Sequence, residues 1–327
     1  MIHARVVSPP DVTERLVPLL IGNSGVLNVE VIRSSVRNPD GDAVHFDVVR
    51  GAANDVIDTL RALGIEARGS IVLEPVSTAI SDYGSRAAKR RARFDDFTPV
   101  WTDVDSRIRT DGRFPPSWYV LMVIAGLIAA VGLITNSQIL IVGAMVVGPE
   151  YGAIVALAYG VVGRERGLVV NSARAMTIGF ALAVVAALIL GEVVRAASLQ
   201  PRAFAIGIRP VSDLINSPDW FSVMVAILAG VVGVISLTEA RIGTLIGVFI
   251  SVTTIPAAAD IGVSIAFRSR DEALGSLEQL VLNVFLLAAV AVAGMPVQRA
   301  FWHRLNAKAS NAKAGGTGQA STGMTSE

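Results

Sequence analysis

Cysteine is absent from all 327 residues, which excludes a disulfide framework and any thiolate metal or redox chemistry. Charge is scarce as well. Only 17% of residues are charged while 52% are hydrophobic, against about 25% charged in an ordinary soluble domain. With a mean hydropathy of +0.58, that deficit marks a membrane protein. The 28 basic and 27 acidic residues nearly cancel, so the chain lacks the electrostatic footprint of a nucleic-acid binder. Histidine is limited to His3, His45 and His303, too scattered for a metal site. The metal question stays open, and no cofactor is expected. Neither a Gly-x-Ser-x-Gly elbow nor a phosphate loop is present, and the apolar part has no histidine, so the chain is not expected to be an enzyme.

The apolar residues are unevenly spread. Residues 1–80 read as a small soluble domain, 81–114 as a basic polar linker, 115–302 as a transmembrane domain and 303–327 as a disordered tail rich in Gly, Ala, Ser and Thr. Met1–Pro10 lacks the apolar run of an export signal. Within the head, Ile2–Val7 is short and β-branched, and Asp11 with Glu14 has capping-box spacing ahead of a helix that Pro18 must kink or shorten. Leu27, Val29 and Val31 alternate with polar neighbours, as do Val44, Phe46 and Val48 beyond the Asn38-Pro39-Asp40-Gly41 turn. A second helix, capped by Asn54, ends at Gly64, and Ser70–Glu74 supplies a last strand. The order βαββαβ predicts a ferredoxin-like, ACT-like domain. Such a module serves oligomerisation as readily as ligand sensing.

A membrane-spanning helix needs about 20 mostly apolar residues. Six runs qualify: about 118–135, 138–162, 168–191, 220–237, 243–267 and 277–296. Arg86, Lys89, Arg90, Arg91, Arg93, Arg107, Arg109 and Arg113 precede the first, and the loop Asn136-Ser137 carries no charge. The positive-inside rule then places the protein in the cytoplasmic (inner) membrane as a multi-pass chain with both termini cytoplasmic. The run Lys89-Arg90-Arg91-Ala92-Arg93 fits topology and anionic lipid better than nucleic acid.

Two runs are interrupted. Gly148-Pro149-Glu150-Tyr151-Gly152 breaks the second, and Thr253-Thr254-Ile255-Pro256 breaks the fifth, which also carries Asp260. Each break falls in the middle helix of a three-helix group, and Asn171 and Asn283 take matching early positions in the third and sixth runs. These features predict two inverted three-helix repeats with discontinuous middle helices, a recurring transporter design. Packing alone is the competing explanation of a Gly-Pro break.

Trp118–Ser137 running into Ile141-Val-Gly-Ala-Met-Val-Val-Gly-Pro-Glu-Tyr-Gly152 resembles the signature of the bacterial membrane family of domain of unknown function 389. Gly247–Pro256, followed by Ile261-Gly262, resembles that family's second motif, and Asn283 resembles an Asn of its last helix. The resemblance covers about 118–296 and stops short at Glu150 and Ala257–Asp260, where this sequence differs from the pattern. It implies a transporter-like membrane protein.

A bare carboxylate at mid-membrane costs at least a few kcal/mol and is protonated, paired or in contact with water. Glu150 and Asp260 are therefore the candidate ion or substrate ligands, with Pro149 and Pro256 opening the helices and Thr253, Thr254, Asn171 and Asn283 adding neutral polar groups. The expected function is a transporter or channel for a small cation or a proton-coupled solute, with a cytoplasmic regulatory head. The alternative is a non-transporting scaffold or signalling protein whose head senses a ligand or partner. The partners expected are the lipid bilayer, a small cation or proton, and further copies of the chain, with no nucleic acid.

Overall fold

The computed structural model describes residues 1–76, 81, 99–217, 219–237 and 254–317. The chain divides into two compact units, Met1–Asp103 with Ala300–Glu327, and Val104–Arg299. The basic run 89–93, the first half of the fifth predicted span and Thr253 lie outside the described residues.

The first unit holds β1 (Ile2–Ser8), α1 (Pro10–Gly22), β2 (Val26–Arg37), β3 (Asp40–Val48), α2 (Arg50–Ala62), the short α3 (Ile65–Arg68) and β4 (Ser70–Pro75). The strands form one antiparallel sheet in the order β2-β3-β1-β4, with Ala4 opposite both Phe46 and Leu73. This is the split βαβ arrangement the alternation predicted. Alternating Ile2, Ala4 and Val6 meet Leu16 and Leu20 of α1 and Val56, Ile57 and Leu60 of α2 in one apolar core.

Local details differ from expectation. Pro10 opens α1 from its first turn, where a missing N–H costs nothing, and the helix runs on through Pro18. Asp11 makes no cap; its carboxylate accepts two hydrogen bonds from Arg68, at 2.9 and 3.0 Å. Asn54 lies inside α2, which starts at Arg50, and ties that helix to the segment beyond the sheet by donating to the Pro99 carbonyl and accepting from the Trp101 amide. Gly64 stands where α2 ends, at φ +72°, a backbone state that only glycine adopts freely.

Then come α4 (Trp101–Asp111), α5 (Pro116–Ile134), α6 (Gln138–Val147), α7 (Glu150–Val162), α8 (Arg166–Ala196), the short α9 (Arg202–Ala205) and α10 (Pro210–Ile215), α11 (Trp220–Ser236), α12 (Ile255–Ala266) and α13 (Arg270–Thr317). Among the described residues, three helices are long and apolar enough to cross a membrane: α5, α8 and the Arg270–Trp302 part of α13. The α6–α7 pair, bent by 49°, adds a fourth crossing if it counts as one span, and α11 and α12 are shorter apolar helices. Helix α4 forms within the stretch read as linker. In the second unit its Val104 and Ile108, spaced one turn apart, pack on Val155, Ala156 and Tyr159 of α7. Arg109 donates to both Glu165 oxygens at 2.7 Å, and Arg299 donates to Asp105 at 2.5 Å, the two guanidinium groups lying over the Tyr159 ring.

Small residues set the spacing of the central helices. A Cβ added at Gly262 of α12 would meet the Val184 carbonyl of α8 at 2.4 Å, and one at Gly126 of α5 would meet the backbone of Ala183 at 3.0 Å. Without a hydrophobic drive between helices in lipid, close backbone approach of this kind supplies the packing.

Candidate functional site

The break between α6 and α7 is two residues long. Gly148 ends α6 in an extended conformation, and Pro149 precedes the first residue of α7, Glu150. The Pro149 carbonyl, left without a helical partner, accepts a hydrogen bond from the Trp118 indole at 3.1 Å. Tyr151 faces the other way, donating to the Gly233 carbonyl of α11 at 2.7 Å and meeting Ser236 Oγ at 3.0 Å. Glu150 is fully buried.

Helix α12 begins at the second break. Thr254 stands just ahead of it, and Pro256 occupies its second position, where the absent N–H is one of the helix's orphans in any case. Thr254, also fully buried, donates its hydroxyl to Glu150 Oε1 at 2.9 Å. The two breaks therefore face each other, and the starts of α7 and α12 converge on one carboxylate. Each helix start carries roughly half a positive charge. That field favours the ionised carboxylate and opposes a bare cation.

Asp260 lies six residues further along α12, about 9 Å at 1.5 Å per residue. Both its oxygens are engaged, by Ser212 Oγ of α10 at 2.6 Å and Ser276 Oγ of α13 at 2.5 Å. Beside it Arg209 donates to Glu272 at 2.6 Å and stacks on Phe204, 4.4 Å from the ring centre, and on Phe267, at 5.6 Å. Ser264 reaches the same Glu272 oxygen at 3.5 Å. The two acids, on different helices, thus occupy separate polar clusters, Glu150 at the start of α12 and Asp260 midway along it.

The matching asparagines take unlike places. Exposed Asn171 donates to the Gly112 carbonyl at 2.8 Å, tying the start of α8 to the turn after α4. Asn283 is fully buried in α13 and accepts from Gln279 at 3.4 Å. Sequence reasoning overlooked Arg209, Ser212, Glu272, Ser276 and Gln279. A signal existed for three of them: Glu272, Ser276, Gln279 and Asn283 fall at i, i+4, i+7 and i+11, one face of an otherwise apolar helix. Among the described residues, no group of three or more His, Asp or Glu could hold a metal ion.

Long apolar helices, a bent pair and small-residue packing, joined to an α/β head, are the make-up of an α-helical membrane protein. Residues 145–289 match the family model described as domain of unknown function (DUF389), and through this segment the chain belongs to that family. An 89-residue stretch is 33% identical to the 3-isopropylmalate dehydratase small subunit of Methylobacterium radiotolerans, covering 27% of this chain and 41% of that subunit. The chain thus spans well under half of that curated relative. No solved structure matches.

Proposed function

We propose that this protein is a multi-pass transporter or channel of the cytoplasmic membrane, with both termini cytoplasmic and six crossings in two inverted three-helix repeats. One observation carries the reading: the hydrogen bond from Thr254 to Glu150 that joins the two helix breaks inside the bundle. Discontinuous helices meeting at a buried polar group are the architecture of many secondary transporters. Of the two solute classes expected from the sequence, the convergent helix starts favour the proton-coupled one, because a carboxyl there can exchange a proton while the field repels a bare cation. The head is the regulatory module, and its open sheet edges suit assembly with further copies of the chain.

The test is proton flux into proteoliposomes under an imposed membrane potential, read by a trapped pH dye. The full chain is expected to conduct above empty vesicles, and Glu150→Gln to lose that excess. Flux equal to empty vesicles in the unaltered chain would sink the transport reading. A second reading, a scaffold or signalling protein, is favoured by the full burial of Glu150, Thr254 and Asp260. It predicts no flux and an unchanged fold in Glu150→Gln.

A further inference from the structure

A bundle of this kind has little reason to bury polar side chains on the same face of one helix. Helix α13 does so with Ser276, Gln279 and Asn283, none more than 4% exposed, in line with the partly buried Glu272. On α12, Asp260 is bonded to Ser276 and Ser264 to Glu272; Asp260, Ser264 and Thr254, the last ahead of the helix, are each at most 1% exposed.

The two helices run back to back. Asp260 lies six residues before the end of α12, and Ser276, which donates to it at 2.5 Å, lies six after the start of α13. From that bonded pair inward, Thr254 is about 9 Å away along α12, and Asn283, seven residues on, about 10 Å along α13. Counted along the two helices, Asn283 is about as far from the Asp260–Ser276 bond as Thr254 is, and Gln279 falls between Ser276 and Asn283. The Gln279 carboxamide donates to Asn283, while its Oε1, buried, has no hydrogen-bond partner. An unsatisfied buried acceptor is costly and calls for an occupant.

We propose that a proton path runs between α12 and α13, from the Arg209–Glu272 pair at the loop end of the bundle, past Asp260 and the Gln279–Asn283 pair, to Glu150. A proton leaves one carboxyl and arrives at the next, with the serine and threonine hydroxyls and water held by the two carboxamides as intermediates; no other bond changes. The loop end is defined by Asn136, which follows α5 and donates to the Ile208 carbonyl at 3.3 Å. Among the described residues, charged groups around the path are few. Arg209 and Glu272 flank Asp260. Around Glu150, helices α5, α6 and α7 bring no other charged side chain and α12 brings Asp260. Helix α8 brings exposed Arg174, with Arg166, Glu192 and Arg195 near its ends. Asp111 is the next acid on the far side, its Cβ 3.4 Å from where a Cβ at Gly152 would stand. The apolar surroundings push its carboxyl above the ordinary value.

The inference deepens the transport reading and takes its purpose from it, but its test does not need net flux. Dicyclohexylcarbodiimide modifies protonated buried carboxyls, and the label on Glu150 is read by mass spectrometry in oriented proteoliposomes of the full chain. Acidifying the loop-end compartment alone is expected to raise Glu150 labelling; acidifying the other compartment alone is not. Gln279→Met with Asn283→Met is expected to slow that rise by on the order of a hundredfold, the size typical of losing a positioned proton-transfer group. Labelling at equal acid pH on both sides should be unchanged, which also controls for folding. Ser276→Thr, which keeps the hydroxyl, should behave as the unaltered chain. Labelling that follows the opposite compartment, fails at every pH, or is indifferent to the Met pair overturns the path. One-sided labelling without flux would leave the path standing and remove only the transport reading.

Discussion

Thr254 is a donor that ties Glu150 to the second break, and removing it takes a hydrogen bond from a buried carboxylate. Thr254→Val keeps the shape and deletes the hydroxyl, so a loss of about 1–3 kcal/mol is expected, seen as a lower unfolding temperature in detergent. Thr254→Ser should unfold near the original temperature, and equal values for all three chains would show that the bond contributes nothing. The head offers a pH test. Arg68 donates two hydrogen bonds to Asp11 and holds its carboxyl below the ordinary 3.8. The stability this pair adds is complete above that ordinary value and lost as pH falls through the lowered one. Asp11→Asn is expected to lower the unfolding temperature of the head slightly at neutral pH, the pair being exposed, and to leave it unchanged at a pH below the lowered value, where the unaltered chain has lost the pair too. Glu150 and Asp260 could be singled out in the sequence because a charge in an apolar run is conspicuous. Of their hydroxyl partners, Thr254 stood out as part of the second break, whereas Ser212 and Ser276 did not, because Ser212 is 48 residues from Asp260 and serine in a membrane helix is unremarkable.

Among elements, α12 depends on its close seat against α8. Gly262→Val would drive a branched side chain into the Val184 carbonyl and the Leu188 amide, 2.4 and 2.7 Å from the Cβ position, and a loss of about 1–3 kcal/mol is expected from such overpacking. Gly143→Ala is the control: nothing lies within 4 Å of its Cβ position, so helix propensity alone predicts a gain of roughly 0.5–1 kcal/mol. Thermal unfolding of the two chains, displaced in opposite directions, would establish that space at Gly262 is the cause. The break at Pro149 was legible because glycine and proline together, followed by an acid, interrupt an otherwise apolar run. Helix α4 was not, since only three apolar residues, Trp101, Val104 and Ile108, distinguish it from a polar linker. The unlike settings of Asn171 and Asn283 were also hidden, because a shared position in two repeats does not give a shared neighbour.

At the scale of the molecule, the proposed sidedness is open to direct test, and the absence of native cysteine makes it clean. Single cysteines at Leu199, 71% exposed at the loop end, and at exposed Arg164 between α7 and α8 should react with an impermeant maleimide from opposite faces of the membrane. In whole cells Leu199→Cys is expected to label and Arg164→Cys only after lysis; labelling of both from outside would overturn the topology. The head's fold was legible from strand alternation and the Asn38–Gly41 turn, whereas the number of crossings was less so, because α11 and α12 are apolar but short. The seam along α12 is rich in alanine: Ala125 and Ala129 of α5, Ala183 and Ala187 of α8, and Ala257, Ala258 and Ala259 of α12 itself are all fully buried. Such residues have no side-chain torsion to change. In the proposed transporter, opening this seam is therefore expected to carry α12 and Thr254 as a unit, a helix sliding on alanine rather than a side chain turning on its axis.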